Sequence, residues 1–249
     1  MSDRKLFTGA EVERVGPARP LGRFSDFVVD QMPGVLTRIR RGDGTVNEIA
    51  VRVEPMIRLI PRPIFINVPE ERDLALLDML MVDAAIVHSG GQTSPELVEK
   101  IEIFANRTGR IPSLTHEDFF FVNPLNEDPR TFTTGRIGRS ELDFYEAHRR
   151  TENVLDEAIG ASMGALDGLV TGDEERAFHL IQKVAIGLDD FVSIMVDLNH
   201  QMPTEHFHVF RQYLGVNPRG YKGASGAFTA GLPTIDLLFA GDRLFVYFD

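Results

Sequence analysis

The sequence predicts a mainly α protein, a single helical domain with minor short strands. Two observations carry this expectation. Apolar residues recur at spacings of three and four through 69–89, 140–170 and 173–200, which is the period of a helix with one buried face. No internal repeat and no low-complexity tract divides the 249 residues, so one domain over 1–249 is the simplest organisation. A chain of this length buries about three quarters of its unfolded surface and needs no staple to fold.

Residues 1–66 read as an irregular N-terminal segment, because Pro17, Pro20, Pro33, Pro55, Pro61 and Pro63 interrupt any long element. Within it, Thr45 to Val53 alternates loosely and reads as a strand after a Gly42-Asp43-Gly44 turn, with Met56 to Ile60 continuing as an edge strand. The first strong helix spans 69–89. Pro69 opens it, Glu70, Glu71 and Asp73 meet its positive end, and Leu74, Leu77, Met81, Ala84, Ala85 and His88 form one inward stripe. Gly90-Gly91 stops it. Ser94-Pro95 then caps a helix over about 95–107.

Residues 108–139 read as a long excursion, and Asn123 to Phe132 within it as a lid. A helix follows from Ser140 to about Val170, with interruptions expected near Gly160 and Gly164. Another runs from Asp173 to about His200, its inner face holding Phe178, Ile181, Val184, Leu188, Phe191, Ile194, Met195 and Leu198. Pro203 opens a short helix to Leu214. Gly220 to Gly226 is a glycine-rich loop, 230–240 reads as helix, and Leu244 to Phe248 as a terminal strand.

Composition narrows the chemistry. There is no cysteine, which excludes disulfides, Cys-ligated zinc or iron–sulfur sites, a thiolate-ligated heme and a cysteine nucleophile. The net charge of −11 argues against nucleic acid and anionic membrane surfaces, and the one basic run, Arg38-Ile39-Arg40-Arg41, reads as a solvated turn. No apolar run is long enough for a membrane span, since Asp78, Asp83 and Asp197 interrupt the longest ones, and residues 1–6 lack the apolar core of a signal peptide. A cytoplasmic protein that binds something small is the expectation.

Seven histidines are the main candidates for chemistry. His116 and His148 sit among polar residues and read as surface side chains. His179, between Phe178 and Leu180, reads as a core or boundary residue. His200, His206 and His208 cluster, but spacings of six and two around Pro203 suit a shared mononuclear site poorly. A single axial ligand from the cluster fits better. His206 shares a helical face with Phe210 and Tyr213, His208 points outward with Arg211 and Gln212, and His200 stays open. His88 ends an apolar stripe beside the small Ala84 and Ala85, where a flat ligand could approach and an imidazole could act as acid or base. The alternative there is a histidine satisfying the last helical carbonyls. Gly220–Gly226, with Ser225 and Lys222, offers backbone N–H groups for a carboxylate or phosphate, and Arg211 could add a bidentate partner. The common nucleotide, serine-hydrolase and zinc-protease motifs are absent.

Three segments carry a resemblance: His200-Gln-Met-Pro-Thr-Glu-His-Phe-His-Val-Phe-Arg211-Gln-Tyr-Leu-Gly215, Gly223-Ala-Ser-Gly226-Ala-Phe, and Pro233-Thr-Ile-Asp236-Leu-Leu-Phe-Ala-Gly241. Together they resemble the indoleamine and tryptophan dioxygenase superfamily, and Ala85-Ile-Val-His88 resembles the distal-histidine helix of the tryptophan dioxygenases. The chain is shorter than those dioxygenases, whose axial histidine comes late, so the axial ligand is expected in the local cluster. Among shorter relatives the sequence is most similar to the heme-dependent tyrosine hydroxylases, of the histidine-ligated heme-dependent aromatic oxygenases.

The resemblance implies a helical domain around a b-type heme and hydroxylation of L-tyrosine at ring carbon 3 to L-DOPA, driven by hydrogen peroxide. It implies His206 or His200 as the iron ligand and His88 as the catalytic proton acceptor and donor on the open side. Arg211, Ser225 and Gly226 would hold a heme propionate or the substrate carboxylate. The implied partners are a small aromatic amino acid and peroxide, and such families often form homo-oligomers. Two alternatives stand beside it: a related heme oxygenase acting on an indole or another aromatic, and a helical ligand-binding protein without catalysis.

Overall fold

The computed structural model describes residues 19–214 together with 234, 235 and 238. Eight α-helices follow one another, joined by short π and 3₁₀ turns, with no strand among the described residues. The protein is mainly α, as its periodicity predicts. The segment 244–248, read as a strand, lies outside the described residues, and of 230–240 only Thr234, Ile235 and Leu238 are described, all helical.

The described part of the N-terminal segment, residues 19–66, is not irregular: it holds helices α1 (Arg23–Asp26), α2 (Met32–Arg41) and α3 (Asn47–Ile57). A π turn over Phe27–Gln31 joins α1 to α2. Pro33 has no N–H to give the carbonyl of Val29, and the wider turn absorbs that missing bond. The Gly42-Asp43-Gly44 turn is a helix end rather than a hairpin. Gly42 sits at φ +81°, its N–H and that of Asp43 closing on the Ile39 and Arg38 carbonyls. The strand expected over 45–53 is α3. Ile49, Val53 and Ile57 are buried and Val51 is 70 % exposed, so the repeat is four, and two of these positions fit a period of two equally well.

Helix α4 (Pro69–His88) is the centre of the fold. Every residue from Leu74 to Ile86 is buried, so the helix is enclosed on all sides rather than along the one predicted stripe. Its two buried carboxylates are satisfied inside. Asp78 accepts from Arg130 Nε at 2.8 Å and Ser25 Oγ at 2.6 Å, and Asp83 accepts from Thr93 Oγ1 at 2.6 Å. Helix α5 (Pro95–Thr108) matches its prediction, with Ser94 Oγ accepting from the Leu97 N–H.

The segment expected as a lid is fixed. Asn123, Arg130 and Phe132 are fully buried, and the Asn123 amide brackets the Arg130 backbone, donating to its carbonyl at 2.9 Å and accepting from its N–H at 2.8 Å. Before it, a π turn over Asp118–Val122 buries Phe119 and Phe120 in the core.

Helix α6 (Gly135–Thr171) runs without interruption through Gly160 and Gly164, and α7 (Glu174–Gln201) returns antiparallel to it. Of the two glycines expected to break α6, Gly164 instead lets α7 approach, as Gly168 does further on, while a Cβ on Gly160 would meet nothing within 4 Å. A Cβ on Gly168 would lie 3.1 Å from the Asp173 carbonyl oxygen and 3.2 Å from Ala177, and one on Gly164 would meet Leu180 at 3.0 Å. Of the face expected to point inward on α7, Val184, Ile194 and Leu198 are buried, but Phe178 is 59 % and Ile181 41 % exposed. The outer half of the hairpin has only a small core of its own, Leu155, Ala158, Ala161 and Val184 with Ile235. Helix α8 (Thr204–Arg211) and a 3₁₀ turn to Leu214 then fold back on the N-terminal half of α6, burying Phe210, Tyr213 and Leu214 in the main core.

Candidate functional site

Three helices bring polar groups together around Tyr213: Arg40 from α2, His88 from α4 and Glu141 from α6. Its ring stacks on Phe132 with centroids 4.2 Å apart and planes 10° apart, and His88 meets it edge-on at 5.6 Å. Its hydroxyl accepts from Arg40 Nη1 at 3.2 Å, which also reaches the Phe132 carbonyl, while Arg40 Nη2 donates to Thr37. Arg40 therefore belongs to the site and not to a solvated turn. Burial raises the Tyr213 pKa above its ordinary value, and Arg40 opposes this.

His88 ends α4 half-buried. Burial lowers its pKa, and the Asp83 carboxylate offsets only part of that. The effect favours the neutral imidazole, able to accept a proton.

On α8, His206 is half-buried, and its Nδ1 lies 2.8 Å from Ser140 Oγ at the start of α6. When Nδ1–H donates to that oxygen, Nε2 carries the free lone pair. One residue on, Glu141 is fully buried and accepts from the Phe132 N–H at 2.8 Å, Thr133 Oγ1 at 2.5 Å and Tyr145 Oη at 2.6 Å. Burial pushes its pKa up to about 7 despite these three donors.

The other predicted residues disperse. His200 and His208 are exposed, and so is Arg211, whose guanidinium lies 5.6 Å from the centre of the Phe207 ring. Ser225 and Gly226, with the whole Gly220–Gly226 loop, lie outside the described residues. His148 is buried, not superficial. Its Nδ1–H donates to the Phe144 carbonyl, it stacks on Phe120 at 4.8 Å, and burial lowers its pKa to about 4. His116 packs beside it against Phe120 and pairs with Glu152 at 3.1 Å. The polar neighbours of both histidines in sequence hid the aromatic wall that the π turn brings over them.

Arg40, Phe132 and Ser140 carry no local signal. Arg40 and Tyr213 are 173 positions apart, and Ser140 and His206 are 66 apart. Among the described residues no group of three or more His, Cys, Asp or Glu side chains could hold a metal ion. A surface groove of about 420 Å³ lies elsewhere, between α6 and α7, lined by Arg150, Asn153, Asp190, Ser193 and Asp197. No protein-family model matches the sequence, and no curated protein matches it. No helix among the described residues is long and apolar enough to cross a membrane.

Proposed function

We propose that the chain is a histidine-ligated heme oxygenase that hydroxylates L-tyrosine at ring carbon 3 with hydrogen peroxide, giving L-DOPA and water. The observation that carries the reading is the Ser140–His206 pair. A hydrogen bond at Nδ1 fixes the ring and directs Nε2 outward, the arrangement typical of a metal-ligating imidazole. Heme needs only one such protein ligand, so the donor set fits it. His206 would hold the iron, with Arg211, Ser225 and Gly226 as partners for a propionate or for the substrate carboxylate. Heme, when bound, supplies the redox-active iron for the peroxide chemistry.

The remaining work falls to this chain's own side chains. His88, kept neutral by burial, accepts a proton at Nδ1 or Nε2 and returns it. Tyr213, backed by Phe132, gives His88 an aromatic wall, and Arg40 fixes that wall through the Tyr213 hydroxyl. Apolar rings of this kind suit a phenol side chain and exclude water from the proton transfer.

The test is the visible spectrum of protein expressed with heme precursor, followed by turnover of tyrosine and peroxide. We expect a Soret band that His206→Ala removes and His88→Ala keeps. His88→Ala should lower turnover by about 10²–10⁴-fold, the usual weight of a general acid–base group. No Soret band after heme reconstitution would overturn the reading. A normal Soret band with turnover of an indole and not of tyrosine would move the substrate, leaving the cofactor assignment intact.

A further inference from the structure

The candidate site has two halves, and one side chain joins them. The first half is the aromatic wall, Phe132 stacked on Tyr213, with Arg40 donating to the Phe132 carbonyl and to the Tyr213 hydroxyl. The second is the Ser140–His206 pair at the start of α6. Glu141 follows Ser140 in the chain and reaches back to the wall. Its Oε1 accepts from the Phe132 N–H at 2.8 Å and its Oε2 from Thr133 Oγ1 at 2.5 Å, so one carboxylate holds two consecutive residues. Tyr145, one turn further along α6, donates to Oε1 at 2.6 Å.

The joint has little slack. A Cβ on Gly138 would lie 2.8 Å from the Thr133 carbonyl oxygen, so the first turn of α6 meets this segment backbone to backbone. Gly138, Ser140 and Glu141 share that stretch of helix. A change in how Glu141 holds Phe132 and Thr133 is therefore felt at Ser140 as well.

The choice of a carboxylate here needs a reason. Glu141 is fully buried, and its donors, the Phe132 N–H and the Thr133 and Tyr145 hydroxyls, are all neutral. A glutamine would serve the same partners without burying a charge, its oxygen for Phe132 and Tyr145 and its N–H for Thr133 Oγ1. Burial pushes the Glu141 pKa up to about 7, so the group gains and loses its proton near neutrality.

The two states bond differently. Ionised, the carboxylate only accepts, and all three donors meet a charged acceptor. Protonated, it has to donate while three donors point at it. The Phe132 N–H cannot accept, so the proton goes to a hydroxyl, and Thr133 Oγ1 is the one on Oε2. The Thr133 hydroxyl proton then loses its acceptor, and bonds to the neutral acid are roughly half as strong.

We propose that Glu141 is the positioning residue of the candidate site and its proton switch: ionised, it holds Phe132 on Tyr213 and Ser140 beside His206 as one unit, and protonated, it reverses the Thr133 bond and loosens both. The inference rests on the reading of this junction as the heme site and concerns how that site is regulated. The other titratable and charged groups facing the network are Tyr145 on α6, Tyr213 in the turn after α8, Arg40 on α2, His88 on α4 and His206 on α8. Burial holds both phenols protonated.

Two measurements test it. In the chain without hemin, backbone amide NMR follows Phe132, Thr133 and Ser140 on both sides of pH 7. The three signals should shift together with one midpoint near 7, the Phe132 amide proton moving downfield as its acceptor gains charge. Glu141→Gln should abolish the shift. Thr133→Val, which keeps the carboxyl and removes the bond that reverses, should shrink it. His88→Ala and His206→Ala should leave it in place. With hemin, the dissociation constant should fall between about pH 6 and 8 by roughly tenfold more in the parent than in Glu141→Gln, the factor for one pH unit of displacement in a coupled proton equilibrium. Any competition between protons and hemin at His206 is common to both chains.

Separate midpoints for the three amides, or a common one that survives Glu141→Gln, would overturn the proposal whether or not hemin binds. So would a hemin affinity with the same pH dependence in both chains. A common midpoint lost in Glu141→Gln, with no Soret band at any pH, would strike the heme reading and leave the switch standing.

Discussion

Glu141 is fully buried among three donors, Phe132 N–H, Thr133 Oγ1 and Tyr145 Oη, and burial still raises its pKa from 4.5 to about 7. The folded state therefore keeps a proton that the unfolded chain has lost between those two values. The contribution of Glu141 to stability is full below pH 4.5 and is lost as the pH rises through 7, roughly 3 kcal/mol for a gap of this size. Glu141→Gln keeps the shape and removes the titration. Urea unfolding on either side of that window should show the parent losing stability relative to the variant by about that amount, because the opposite titration of buried His148 is common to both. An identical loss in both would mean that Glu141 does not carry it. At this scale the sequence was partly readable. Periodicity put His206 on a face with Tyr213, and the Ala84–Ala85 stripe singled out His88. Arg40, Phe132 and Ser140 were not readable, because their partners come from distant helices and no local spacing encodes them.

At the scale of elements, two of the internal glycines of α6, Gly160 and Gly168, have opposite roles. A Cβ at Gly160 meets nothing within 4 Å, whereas one at Gly168 meets the Asp173 carbonyl and Ala177. Gly160→Ala should stabilise by about 1 kcal/mol, the helix-propensity difference, raising the melting temperature by roughly 2–4 °C. Gly168→Ala should lose that gain to crowding at the turn into α7. Thermal unfolding of the two variants side by side decides it, and an equal rise in both would show that the turn yields freely. In sequence the glycines at 160 and 164 signal a break; at Gly164 the close approach of Leu180 from α7 offsets the cost, and at Gly160 the helix continues with open space beside it. Helices α4, α5, α7 and α8 were legible because their caps and start signals, such as Ser94 and Asp173, sit at the ends of long periodic runs. Helix α3 was not, since Ile49 and Val53 satisfy both periods and only tertiary burial separates them. The segment expected as a lid over 123–132 is anchored for a related reason: Asn123 and Arg130 bond each other and Asp78 inside the core, while Asn126 and Glu127 between them face water.

At the scale of the whole molecule, the candidate site ties together parts that are far apart in sequence. Arg40 comes from α2, His88 from the end of α4, Ser140 from the start of α6, and His206 from α8. The body around them is knit by the enclosed α4 and by the Arg130–Asp78 pair, which joins the 123–132 segment to it. A ligand held at this junction binds only the folded chain, so its binding free energy adds to global stability. At hemin concentrations about 100 times the dissociation constant the gain is about 2.7 kcal/mol. For a chain of this size that is roughly 5–10 °C in melting temperature. The rise should appear in the parent and in His88→Ala, and should vanish in His206→Ala, whose only loss is the proposed ligand. Ser140→Ala should keep part of it, because the imidazole remains while its orientation relaxes; outer-shell partners of metal ligands typically cost 10–100-fold in affinity when removed. A rise that survives His206→Ala but not His200→Ala would move the ligand to the end of α7. A rise that survives both would mean that hemin associates with apolar surface and not with the proposed ligand.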